Sequence, residues 1–325
     1  MDNHQLLQII DLKKYYPVTT GLLSQQVGEI KAVDGVSFHM AEHEILGLVG
    51  ESGCGKSTLG RTILRLEEPT SGKILYKDND ITTLDKERLR ALRKEIQIIL
   101  QDPDASLDPR MTAGDSIAEP LVVHGIGDDV DRNERVAELM TQVGLDPRQA
   151  SHYPHEFSGG QKQRIGIARA LAINPKLIIA DEPVSALDVS VQAQILNLMM
   201  DIQEEFGLTY LFIAHDLAVI RHMAHRVAIM YLGKIVELAD KQELFSSPLH
   251  PYTHALLAAV PSFKSKARKV TLLSGDVPSP LNPPQGCHFH PRCQKAFQPC
   301  SQEEPKLVEI SKNHFVSCHL HTTSM

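Results

Sequence analysis

The sequence predicts an α/β fold with a largely parallel sheet, an inserted helical subdomain and a small C-terminal domain rich in proline and cysteine. Three observations carry this prediction. Short apolar runs alternate with helical stretches, the segment from about Asp102 to Asn174 shows helical patterns without a strand, and the composition shifts near residue 240. The runs Leu6–Ile10, Ile45–Val49, Ile96–Leu100, Leu177–Ala180 and Tyr210–Ala214 read as buried strands. Ser57–Leu66, Glu134–Val143, Gln161–Ile173 and Val189–Phe206 read as the helices between them. The expected domains are therefore 1–240, with its helical part at about 102–174, and 241–325.

The chain has 325 residues, 42% of them hydrophobic, which is ample for a substantial core. Its formal net charge of -7 disfavours nucleic acid or an anionic membrane surface as the main partner. No apolar run approaches the ~18–20 residues that span a bilayer. Met1-Asp2-Asn3-His4 lacks the basic-then-apolar layout of a signal peptide, so the expectation is a cytosolic chain that meets membranes only through partners. Ten of the 19 prolines fall between Pro248 and Pro305, and four of the five cysteines lie in the last 39 residues. From Pro261 onward eight Lys/Arg face four Asp/Glu, against the acidic balance of the body.

The decisive motif is Gly50-Glu51-Ser52-Gly53-Cys54-Gly55-Lys56-Ser57-Thr58, which fits G-x-x-x-x-G-K-S/T between a strand and a helix. Its glycines let backbone N–H groups turn inward on phosphate oxygens at a helix N-terminus. Lys56 is expected to reach the β- and γ-phosphates of ATP, and the Ser57 hydroxyl to ligate Mg²⁺. Cys54 reads as a spacer; were it exposed, its thiolate would be open to alkylation when ATP is absent. Downstream, Leu177–Ala180 runs into Asp181-Glu182. Asp181 is placed to hold Mg²⁺ through its water shell, and Glu182 to polarise the attacking water. Ser158-Gly159-Gly160-Gln161 opens another helix and makes a second anion site. One γ-phosphate does not need two such sites from one chain, so the second is expected to serve a nucleotide held by another subunit.

With these residues the chain resembles the ATP-binding cassette (ABC) ATPases. Phe157-Ser158-Gly159-Gly160-Gln161 is similar to their signature motif, departing from it in Phe157, where Leu is commoner. Gln101 resembles the Q-loop glutamine, Ser185-Ala186-Leu187-Asp188 the D-loop, and His215 the switch histidine. The resemblance implies that two cassettes close head to tail around two ATP molecules. Gly50, Ser52, Gly53, Cys54, Gly55, Lys56, Ser57, Thr58 and Asp181 would then bind ATP, with Ser57 and Gln101 on Mg²⁺. Glu182, His215 and Gln101 would be catalytic, and Ser158, Gly159, Gly160, Gln161 and Asp188 would act in trans. Tyr16 would stack on adenine, with Tyr15 as the fallback and a plain core aromatic as the alternative.

The resemblance extends to the oligopeptide/dipeptide importer ATPases. They share the insertion Val18–Lys31, Gln101-Asp102-Pro103 followed by Ser106-Leu107-Asp108-Pro109-Arg110, the run His250-Pro251-Tyr252-Thr253, and the tail Gly286-Cys287…His290-Pro291-Arg292-Cys293. The match is end to end and nearest the F-type subunit. It implies a motor at the cytoplasmic face of the bacterial inner membrane, peripheral to it. Its partners would be a D-type paralogue, two membrane permease subunits and an extracytoplasmic peptide-binding protein. The surface around Gln101–Leu121 would receive a permease coupling helix. Relatives that carry nickel, glutathione or other small solutes leave the cargo open. A DNA-repair ATPase is the alternative from another class, but no long coiled-coil or zinc insertion separates Thr58 from Ser158.

Cys287, Cys293, Cys300 and Cys318 form a cluster that in a cytosolic chain points to metal before disulfides. They lack the C-x₂-C pairs of zinc ribbons. They resemble the importer tails that carry a 4Fe-4S cluster, which would take all four as ligands. Histidines 288, 290, 314 and 319 keep zinc open as the alternative.

Overall fold

The computed structural model describes residues 5–20, 25–259 and 275–322. Its strands begin with β1 (Gln5–Thr20), β2 (Gln25–Ala41), β3 (Ile45–Val49), β4 (Ser71–Tyr76), β5 (Asn79–Asp80) and β6 (Ile96–Ile99). They continue with β7 (Leu177–Asp181), β8 (Thr209–Ala214), β9 (Arg226–Tyr231), β10 (Lys234–Asp240), β11 (Val308–Ser311) and β12 (His314–Val316). The chain divides into two compact units. One comprises residues 1–41, 45–83 and 214–325, the other residues 42–44 and 84–213.

In the first unit, β2-β1-β4-β5 form an antiparallel sheet. A second set of strands is hydrogen-bonded in the order β11-β12-β10-β9-β3, with β3 parallel to β9 and the other pairs antiparallel. β3 is buried along its whole length, as an unbroken Ile-Leu-Gly-Leu-Val run demands. The expected strand Leu6–Ile10 is the start of a longer β1, which pairs with β2 up to Thr20↔Gln25. The insertion Val18–Lys31 is the distal part of this hairpin, residues 21–24 lying outside the described ones. β2 does carry a period-2 signal: Val36, Phe38 and Met40 are buried, whereas Gly35 and Ser37 are exposed. β9 and β10, absent from the strands expected from the sequence, have apolar runs that meet at the turn Leu232-Gly233.

The second unit contains the parallel strands β8-β7-β6 in that order. Between β6 and β7 every regular element is helical: Pro103–Ser106, Ala113–His124, Asp129–Gln142 and Gly159–Leu171, with two 3-10 turns. The helix read as Glu134–Val143 starts earlier, at Asp129. Asp128 accepts the N–H groups of Val130 and Asp131, and the Asp131 carboxylate takes the Asp128 N–H in return. No helix among the described residues is long and apolar enough to cross a membrane.

Several buried polar groups under the tail pair with one another. Glu237 on β10 is fully buried and accepts from Leu249 N–H at 2.7 Å and His250 N–H at 2.9 Å, with His314 Nε2 at 2.8 Å. His250, also buried, accepts the Tyr252 N–H on Nδ1 at 3.0 Å. Burial pushes its pKa down to about 4; Glu237 pulls the other way, and His321 and His254 add to the lowering. The folded chain thus refuses a proton that the unfolded chain binds below its ordinary value of 6.5. Stability is therefore expected to fall as pH drops from 6.5 towards about 4. Melting temperature against pH should show this slope, and it should flatten in His250→Asn, which keeps an acceptor for the Tyr252 N–H.

Candidate nucleotide site

β3 delivers the chain of the first unit into the phosphate loop, which ends in the helix Lys56–Ile63. Gly55 is the N-cap, with φ of 108° and no side chain capping the helix. An added Cβ there would overlap the Ala32 carbonyl oxygen. Only glycine combines this left-handed turn with the close approach to β2, and the turn leaves first-turn N–H groups pointing along the helix axis, where an anion binds. Lys56 is 4% exposed, and its Nζ donates to the carbonyl oxygens of Gly50 at 2.8 Å and Glu51 at 3.2 Å. Cys54 is 3% exposed, and burial pushes its thiol up, Lys56 opposing. The exposure on which alkylation of Cys54 would depend is therefore absent: the residue is a buried thiol within the loop.

Each polar group of Glu51 has a partner. Its N–H donates to the Tyr252 hydroxyl at 3.0 Å, and its carbonyl takes Lys56. Its carboxylate accepts both arms of Arg292, Nη1 at 2.6 Å and Nη2 at 3.0 Å. In the sequence Arg292 and Tyr252 stand only within tail motifs. Nothing local in the sequence ties them to a loop some two hundred residues upstream.

Tyr15 and Tyr16 are both half-buried on β1. The Tyr15 hydroxyl donates to Asp34, and burial and that carboxylate push its pKa up. Tyr16 donates to Glu67, and Lys14 Nζ sits 4.8 Å from its ring centroid. Its ring is thus already a platform for a positive group. His215, just past β8, is exposed, and the next residue, Asp216, caps the helix Leu217–Met223 through the Ala218 N–H at 2.7 Å.

In the second unit β7 closes on Asp181, which is 2% exposed. Glu182 follows with φ of 47°, a left-handed conformation uncommon outside glycine. Surrounding bonds hold it there: its N–H donates to Ile213 O at 3.0 Å, and its carbonyl accepts the Ser185 N–H at 3.2 Å and hydroxyl at 3.1 Å. Gln101 Nε2 donates to the Glu182 carboxylate at 3.4 Å. The fold thus brings together two residues singled out separately in the sequence.

Ser158 caps the helix Gly159–Leu171. Its N–H donates to Gln161 Oε1 at 2.9 Å, and its hydroxyl accepts the Gln161 N–H at 3.4 Å. Asp188 caps the helix Val189–Phe206, accepting Val191 N–H at 3.0 Å and the Ser190 hydroxyl at 2.7 Å. The two helix starts touch: a Cβ on Gly160 would lie 2.5 Å from Val191 Cγ1. Ser158, Gln161 and Asp188 each have this local capping work besides any role toward a nucleotide.

Of the tail cysteines, Cys300 and Cys318 are buried and Cys287 and Cys293 half-buried, all as free thiols. Burial pushes Cys287 up to about 12 and Cys318 up to about 11, and each is raised further by the other cysteines' charge. Among the described residues, no three His, Cys, Asp or Glu side chains are grouped tightly enough to hold a metal ion.

A phosphate loop after a buried strand, a buried aspartate closing a parallel strand and a second glycine-containing helix start define an ATP-binding cassette. The ABC transporter family matches residues 33–185, and the oligopeptide/dipeptide transporter C-terminal region matches residues 236–300. The chain is 56% identical to the oligopeptide transport ATP-binding protein AppF of Bacillus subtilis, over 98% of each chain. It is 48% identical to the dipeptide transport ATP-binding protein DppF of Haemophilus influenzae, over 98% of this chain and 97% of that one. A solved dimeric ATP-binding cassette in a post-hydrolysis state, bound to ADP and Pi, aligns with a TM-score of 0.64 at 31% identity, covering 72% of this chain and 98% of that one. The chain belongs to the oligopeptide/dipeptide branch of the ABC transporter ATP-binding proteins.

The Gly160 contact yields a direct test. Gly160→Ala is expected to destabilise the protein by about 1–3 kcal/mol through overpacking, and Val191→Ala to relieve much of that loss. Thermal or urea unfolding of the two single variants and the double variant measures both effects.

Proposed function

We propose that this chain is the ATP-hydrolysing motor of an importer that carries di- or oligopeptides across the cytoplasmic membrane. The observation that carries the reading is Glu182, held in a left-handed turn beside a buried Asp181, with Gln101 on its carboxylate. A carboxylate so fixed can take the proton of a water attacking the γ-phosphorus as the bond to the ADP oxygen breaks. Lys56 would neutralise charge on the β- and γ-phosphates, while Ser57, with Gln101, would ligate Mg²⁺ and Asp181 would hold its water shell. Gly50, Ser52, Gly53, Cys54, Gly55 and Thr58 complete the cradle, Tyr16 would stack on adenine, and His215 would contact the γ-phosphate. Ser158, Gly159, Gly160, Gln161 and Asp188 would complete the site of a second cassette. The dimeric solved relative supports that arrangement.

Peptide cargo rests on relatives at 48–56% identity whose names specify oligopeptide or dipeptide transport. The partners would be a paralogous cassette, two permease subunits and an extracytoplasmic binding protein, with this chain on the cytoplasmic side. The four tail cysteines would hold a 4Fe-4S cluster, zinc being the alternative. What supports the cluster is the donor set: four thiols in one segment, with Cys287 and Cys318 raised by burial and then by the charge of neighbouring cysteines. When bound, the group would cross-link the tail loops and release the thiol protons.

Two measurements test this reading. Glu182→Gln should abolish phosphate release, by 10²-fold or more on the order of a lost general base, while MgATP still binds; retained turnover contradicts the catalytic assignment. Anaerobically purified protein should carry about four irons and four sulfides per chain with a brown chromophore. A single colourless zinc would point to the alternative.

A further inference from the structure

The tail does more than cover the cassette body, because it reaches into the phosphate loop at one residue. Glu51 is the second residue of that loop, and its carboxylate is an anion beside a cradle built for a polyanion. Left unpaired, it would repel the phosphates and compete for Lys56. Arg292 is 8% exposed and takes that carboxylate in a two-armed ion pair. Guanidinium geometry fixes the direction of the acid as well as its charge.

Arg292 is itself held rigidly. It lies in the 3-10 turn His290–Arg292, with its N–H donated to Phe289 O at 3.0 Å. Phe289 is buried, its ring centroid 5.3 Å from those of both Tyr231 and Tyr252. The Arg292 guanidinium also lies over Tyr231, 5.9 Å from its ring centroid. Tyr252, within the same aromatic cluster, accepts the Glu51 N–H. The backbone and the side chain of Glu51 are thus both anchored by residues that follow the cassette strands in sequence.

We propose that Arg292 is a positioning residue for nucleotide binding: it holds the Glu51 carboxylate turned toward the tail and the loop in its phosphate-accepting shape. The inference rests on the ATPase reading above, and its effect is on affinity for MgATP rather than on the chemical step. A tail that served only as a structural cover would lower stability when Arg292 is lost, without a charge-specific effect on nucleotide affinity.

The test measures MgATP KM and kcat for phosphate release, together with melting temperature, on the full chain in its transporter complex. Arg292→Met, which keeps the apolar stem, is expected to raise KM about ten-fold or more with little change in kcat. Adding Glu51→Gln removes the stranded charge and should bring KM back to within about three-fold of wild type. An unchanged KM, or a rise that Glu51→Gln leaves in place, overturns the proposal. If Arg292→Met does not fold, Arg292→Lys serves: losing the two-armed geometry should raise KM about three-fold or more, again reversed by Glu51→Gln, and an unchanged KM counts against. A wild-type complex that neither binds nor hydrolyses MgATP would overturn the ATPase reading instead.

Discussion

The constraint on which the first unit depends is the tight passage from β3 into the helix Lys56–Ile63. Backbone N–H groups must turn inward at a helix start, so side chains have to be absent where the loop passes its neighbours. Gly55 sits against the Ala32 carbonyl in a left-handed conformation, and Lys56 folds back over the carbonyls of Gly50 and Glu51. Much of the surrounding unit serves that turn. β2 supplies Ala32, β9 supplies Met230 against Gly50, and the tail supplies Tyr252 and Arg292. A helix N-terminus is a general anion site, and here the neighbouring elements fix the shape of the loop that leads into it.

The second unit meets a different demand, the placement of carboxylates. Asp181 is carried by a fully buried strand, so its position is fixed by the sheet. Glu182 occupies a conformation that costs about 1–3 kcal/mol for a residue with a side chain, and the bonds to Ile213 and Ser185 are what hold it. The strain is kept at the residue whose carboxylate meets Gln101, which supports the catalytic role proposed for it. Ser158 and Asp188 each cap a helix, and the two helix starts pack together through Gly160 and Val191. A change at one of these helix starts is therefore felt at the other.

The parts legible in the sequence are those whose signal is local. The phosphate loop, β3, β7 and the helix Val189–Phe206 are short runs with their own punctuation, such as Gly207 at the C-terminus of that helix. The length of β1 and β2 was less legible because the distal hairpin is polar and half-exposed, so no apolar run marks it. β9 and β10 carry apolar runs joined by the two-residue turn Leu232-Gly233, a signal as local as that of β3. The contacts of Glu51 with Arg292 and Tyr252, and the burial of Cys54, are tertiary facts. No spacing or periodicity encodes them, because they depend on where the chain returns after more than two hundred residues.

The most direct test of the central claim is to measure phosphate release and labelled-oligopeptide uptake together, in vesicles bearing the transporter assembled with this chain. The account predicts that uptake requires MgATP, that both rates rise with peptide-loaded binding protein, and that Lys56→Ala abolishes both. Peptide uptake that proceeds without ATP, or that is untouched by Lys56→Ala, would contradict it.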